Sequence, residues 1–98
     1  MANPVLLDHG DSRWMWCPGC DDVHRVDGKW SWNGSTTAPT ISPSILVKFD
    51  VTTRPDLSRR CHSFLTDGVW QFLGDSTHAM AGQSVPMVPV PDWLAAEK

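Results

Sequence analysis

Cys17-Pro18-Gly19-Cys20 constrains this chain more than any other stretch of it. Pro18-Gly19 forces a tight turn, and the two-residue spacer lets both sulfurs reach one ion about 2.3 Å away. A CxxC can also be a redox pair, but that motif needs a βαβ context, and no helical pattern surrounds it here. The chain has 3 cysteines, and Cys61 is the other one. An odd count that includes one CxxC favours metal over disulfides in a reducing compartment. Structural zinc takes four ligands, so Cys17, Cys20 and Cys61 need a partner. His62, beside Cys61, is taken as the fourth ligand, with His24 and His78 as alternatives. Neighbours on a strand point to opposite faces, so Cys61 and His62 can both ligate only where the strand kinks. His24 lies close enough to Cys20 to fold back onto the same ion. His78 follows the next hairpin, in a loop that could reach over the site.

A chain of 98 residues makes one domain, 1–98, and a domain that small buries only roughly 60–65 % of its unfolded surface. Zinc would act as a staple, contributing on the order of 10 kcal/mol, and the apo protein is expected to unfold. The core is rich in tryptophan: 6 Trp and 3 Phe with no Tyr, each Trp able to bury about 200 Å².

Apolar residues alternate in short runs between turn signals, which predicts an all-β or mainly-β antiparallel fold. Residues 1–12 read as an entry strand or arm. Arg13–Trp16 is a strand with Trp14 and Trp16 on one face. Val23–Val26 and Lys29–Trp32 read as a hairpin about Asp27-Gly28. Ser44–Val51 is the best strand, and Cys61–Leu65 with Val69–Leu73 form a hairpin around Thr66-Asp67-Gly68. Val85–Val90, broken by Pro86 and Pro89, suits an edge. The tail 91–98 forms a short helical turn, with Asp92 near its start.

A net charge of −3 argues against a nucleic-acid partner, which needs a clustered positive surface. Arg54, Arg59 and Arg60 cluster locally, with Asp56 among them, and read as a solvated loop. No apolar run is long enough to span a bilayer and no signal peptide is visible, so the expected location is the cytoplasm.

Two polar segments are more specific than a fold requires: 30–44, with Trp30, Trp32, Asn33, Thr40, Ser42 and Ser44, and 74–83, with Asp75, His78 and Gln83. CPGC at 17–20 with His24, WSWNG at 30–34, PTISPSILV at 39–47, CHSFLTDGVWQFLGD at 61–75 and THAMAGQ at 77–83 resemble a family of small phage and prophage proteins often labelled "ammonia monooxygenase". The resemblance implies a phage origin and a bacterial host cell, and brings no activity with it. In that family the position of Ser76 is commonly Cys, so either that Cys is not a ligand or the fourth position here is filled by a His or by water. Membrane ammonia oxidation needs spanning helices and copper, and this ligand set favours zinc.

Three functions follow. The first is a zinc-stapled binding module, its loops at 33–44 and 74–83 meeting a host protein or small ligand, with exposed Trp as anchors; self-association is left open. The second is a zinc hydrolase with His78 or Asp75 moving protons and Ser42 or Ser44 orienting substrate. No HExxH or HxE…PCxxC pattern supports it. The third is a zinc-ribbon nucleic-acid binder that stacks bases on Trp.

Overall fold

A computed structural model describes residues 3–49, 53 and 58–96. Val51, Arg54 and Asp56 of the expectations above lie outside the described residues. The fold is mainly β: two antiparallel sheets and one short C-terminal helix. The first sheet holds β1 (Leu6–Asp8), β2 (Ser12–Cys17) and β3 (Asp22–Asp27), in the order β1-β2-β3. The second holds β4 (Ser31–Trp32), β5 (Ile41–Phe49), β6 (Arg59–Thr66), β7 (Val69–Phe72) and β8 (Ser84–Pro86), in chain order. The helix α1 spans Asp92–Ala95.

Side-chain alternation decides how the sheets stack. On β2, Met15 and Cys17 are buried while Trp14 and Trp16 point the other way. On β6, Cys61, Ser63 and Leu65 are buried; on β7, Trp70 and Phe72 are. The apolar ones among these inward residues join Leu6, Val26, Ile41, Ile45 and Met87 in one core shared by both sheets, a two-sheet sandwich. Burying Trp70 and Phe72, whose rings stack 5.8 Å apart, supplies much of the driving force, since large aromatics remove the most apolar area from water. The far side of the three-stranded sheet is covered by Leu7, Val90 and Leu94, with Trp14 and Trp16 packed alongside. Trp16 meets Trp93 edge-on at 6.0 Å. Among the described residues the far side of the five-stranded sheet has no such cover, and Leu46, Phe64 and Val69 stand exposed there.

The β6–β7 hairpin forms where expected. Asp67 and Gly68 take positive φ values of 50° and 77°, the backbone a two-residue hairpin turn demands. The hairpin expected about Asp27-Gly28 does not form. β3 takes its partner from β2 across the CPGC turn, with Cys17 opposite Asp22. The chain then crosses to the other sheet, where Trp32 pairs with Ile41 of β5. The turn at Asp27 survives as a bend, with its carboxylate accepting from the Lys29 N–H at 2.9 Å. Ser42 lies within β5 rather than in a loop ahead of it, because the strand begins at Ile41, before the expected Ser44. No helix among the described residues is long and apolar enough to cross a membrane.

Candidate functional site: a buried thiol–imidazole cluster and an outward serine–histidine–aspartate array

Four metal-binding side chains converge where the two sheets meet. Cys17 ends β2, Cys20 follows in the turn, His24 lies on β3 and Cys61 lies on β6. Their ligand atoms all fall within 4.8 Å of one another. The sulfurs of Cys17 and Cys61 are 3.9 Å apart, close to the ~3.8 Å edge of a tetrahedron with 2.3 Å metal–sulfur bonds. The Cys20 N–H points to the Cys17 sulfur at 3.4 Å, as turn amides do around thiolates. His24 is only 3 % exposed, yet neither of its ring nitrogens has a hydrogen-bond partner. A buried imidazole left unpaired is costly, and a metal ion would satisfy it. The donor set and this orphaned ring therefore fit a metal ion.

Charge in the cluster is shared. Hydrogen bonds from the Cys20 and Cys61 thiols hold Cys17 far below the ordinary thiol range, and the bond to Cys17 pushes Cys61 far above it. Burial lowers the His24 pKa, but the neighbouring Cys17 and Cys20 sulfurs outweigh it and push it up to about 9. Without a metal the cluster thus retains protons. A cation that displaces them relieves the cost of a buried thiolate.

His62 is not in this cluster. β6 runs regularly through Cys61 and His62, opposite Val47 and Leu46 of β5, so the imidazole faces outward, away from the sulfurs. The fourth side chain of the cluster is His24. On the outer face the His62 ring uses both nitrogens. Nδ1 lies 3.2 Å from the Asp75 carboxylate and Nε2 lies 3.2 Å from the Ser44 hydroxyl. An ionised carboxylate can only accept, so Nδ1 carries a proton, and in the neutral ring Nε2 accepts from the Ser44 O–H.

Each member of this array is held by its own local structure. Ser44 lies within an irregularity of β5: the pairing with β6 shifts register between Ile41 and Ile45, a stretch that includes the cis Ser42–Pro43 peptide. Ile45 is buried, so Ser44 before it and Leu46 after it face outward. The Ser44 carbonyl accepts from the Trp30 indole N–H at 3.2 Å. Asp75 is placed by the two residues after it. The Ser76 hydroxyl accepts from the His62 N–H at 3.0 Å and donates to the His62 carbonyl at 3.2 Å. The Thr77 hydroxyl does the same for Arg60, at 3.0 and 3.2 Å. These double bonds dock the 75–77 segment onto the backbone of β6 beside the His62 ring. Arg60 also approaches the Asp75 carboxylate, at 3.9 Å.

A carboxylate, an imidazole bridging with both nitrogens and a hydroxyl form the relay by which serine enzymes activate a nucleophile. Residues 3–73 match the profile of a family described as bacterial ubiquitination-like system serine protease, BubE. The chain belongs to this family. The matched stretch contains Ser44, His62 and all four residues of the buried cluster, and Asp75 lies just beyond it. No curated protein and no solved structure matches the sequence.

In this BubE-family chain the other expected site residues have different surroundings. Asp75 and His78 part company: Asp75 faces the His62 ring, whereas His78 packs edge-on against Phe72 at 4.6 Å and lies against Gly19 of the CPGC turn. Trp30 and Trp32 are half-buried against the core, and the Trp32 indole donates to the Ser35 carbonyl at 2.9 Å. Asn33 shapes its own turn, accepting from the Ser35 N–H at 3.1 Å. Thr40 accepts from the Asp67 N–H at 2.9 Å and steadies the β6–β7 turn. Ser42 pairs with Ser31, and the Gln83 amide donates to the Ala79 carbonyl at 3.4 Å. Residue-level reading missed the Ser44–His62–Asp75 array because its members lie 18 and 13 residues apart with no local motif.

Proposed function

We propose that this chain is a serine protease serving a bacterial ubiquitination-like system, with Ser44 as nucleophile, His62 as general base and Asp75 as the group that orients His62. The observation that carries this reading is the His62 imidazole, bonded at 3.2 Å on one side to a carboxylate and on the other to a hydroxyl. The family description points to the same chemistry. Ser44 Oγ attacks the scissile carbonyl carbon while its proton passes to His62 Nε2. The carbon–nitrogen bond then breaks, and the leaving amine takes that proton. Water attacks the acyl-Ser44 ester, again giving a proton to His62, and the acid is released as Ser44 regains its hydrogen. Asp75 keeps Nδ1 protonated throughout and favours the transient imidazolium.

The buried cluster has a separate task in this reading. Three thiols and an imidazole, with Cys17, His24 and Cys61 buried and Cys20 half-buried, suit zinc in a structural role. Cys17, Cys20 and His24 come from one sheet and Cys61 from the other, so the ion ties the sandwich together. The binding-module reading bears on the same surface, since Ser44 ends the segment 33–44 and Asp75 lies near the start of 74–83.

The test is active-site labelling of the purified zinc-loaded chain with a fluorophosphonate probe, mapped by peptide mass spectrometry. The expected adduct is on Ser44, and Ser44→Ala should abolish it without changing metal content. No adduct, or one on another serine, would overturn the assignment.

A further inference from the structure

The array sits at an open margin of its sheet. β4 pairs with β5 only at Ile41 and Ser42. From Pro43 to Phe49, among the described residues, no strand lies on that side of β5. The order across the sheet is therefore Ser44 on the margin, His62 behind it and Asp75 behind His62. Substrate can reach the Ser44 hydroxyl from the margin side, along an edge that no strand of the described residues covers beyond Ser42, with the Ser44 carbonyl itself held by the Trp30 indole N–H.

The surface around the serine is apolar. Leu46 is directly opposite His62 in the β5–β6 register and is 47 % exposed. Phe64 shares the outward face of β6 with His62 and is 43 % exposed. Large apolar side chains so exposed beside polar reactive groups mark a contact surface. One cleft opens on the inner cluster, lined by Cys20, His24 and Cys61, and another is lined by Pro4, Leu6 and His9; neither includes Ser44. A small substrate would want an enclosed pocket around the reactive atom, whereas an extended chain is recognised along an edge, with alternate side chains on the sheet face.

Building on the serine-protease reading, we propose that the substrate is an extended polypeptide that adds as a strand to the β5 margin and lays a bulky apolar side chain, next to the scissile bond, on Leu46 and Phe64. Leu46 and Phe64 then determine specificity, and substrate backbone amides supply binding energy at alternate positions.

Quenched fluorescent peptides test this with the full zinc-loaded chain. Peptides with Leu or Phe beside the cleaved bond should be cut faster than those with Asp or Gly. Leu46→Ala and Phe64→Ala should each lower kcat/KM for them on the order of tenfold, through KM. Melting temperature and metal content should stay unchanged, because both side chains are solvent-exposed. N-methylation scanned along a good peptide should block cleavage at every second position, as pairing with one strand edge requires. Cleavage indifferent to N-methylation, or equal rates for apolar and polar peptides, would overturn the inference while a fluorophosphonate adduct on Ser44 still upheld the protease. Absence of that adduct would remove both.

Discussion

The two faces of β6 carry opposite kinds of chemistry one residue apart. Cys61 points inward, 2 % exposed, into a group of four donors supplied by both sheets. His62 points outward, its side chain 27 % exposed, into a line of three groups that ends in a hydroxyl at the sheet margin. The inner centre gathers its four donors between the two sheets, and three sulfurs around a cation would leave that cation little Lewis acidity. It suits holding. The outer array leaves the serine oxygen reachable and supplies a base behind it. It suits reaction. Strand parity separates the two, so a metal in the inner centre would act on a reaction at the outer array through the β6 backbone and through the His78 loop that rests on Gly19.

Removing the metal should have the largest effect. Cys61→Ser, or treatment with a strong chelator, should release the ion and unfold the sandwich, since structural zinc contributes on the order of 10 kcal/mol to small domains. Metal content by mass spectrometry and melting by circular dichroism check this. A chain that melts at the same temperature after chelation would break the division of labour drawn above. The neighbouring change, His62→Ala, should do the reverse: full metal content, a nearly unchanged melting temperature, and hydrolysis reduced by about 10⁵–10⁶-fold. If His62→Ala lost metal while His24→Ala kept it, the two faces would have to be exchanged.

The two centres were not equally legible. Thiols are rare and informative, so Cys17, Cys20 and Cys61 could be grouped from spacing and count alone. Parity already warned that Cys61 and His62 face apart, and a regular β6 bears that out. The same parity identifies His24, because Val26 faces the core and His24, two residues earlier on β3, must face it too. The mainly β character and the short terminal helix were readable from alternation and turns. The Asp27-Gly28 hairpin was not, since a turn dipeptide says nothing about which strand the chain meets next. The outer array was hidden for a related reason. Ser44, His62 and Asp75 come from β5, from β6 and from the segment after β7, and their meeting depends on strand order, on the β5 register shift and on the Ser76 and Thr77 hydroxyls gripping β6. None of these is written in a local pattern.

The finest test of the comparison lies where the two regions nearly touch. His78 belongs to the same loop as Asp75, yet its ring rests on Gly19 of the metal-binding turn, where an added Cβ would collide with all three atoms at the tip of the imidazole. The Nδ1 of that ring accepts from the Met80 N–H at 3.2 Å, so it cannot swing away without breaking the loop's own bond. Gly19→Ala should therefore push on the 75–80 loop from the metal side, at a cost of about 1–3 kcal/mol for overpacking. Some of that displacement should reach Asp75 through the short stretch of chain between them. Metal content should stay full, melting should fall modestly, and the rate of Ser44 labelling should drop far less than in His62→Ala. An unchanged labelling rate in a chain that is measurably destabilised would mean that Ser76 and Thr77 isolate Asp75 from the metal turn, and that the two faces of β6 are mechanically as well as chemically independent.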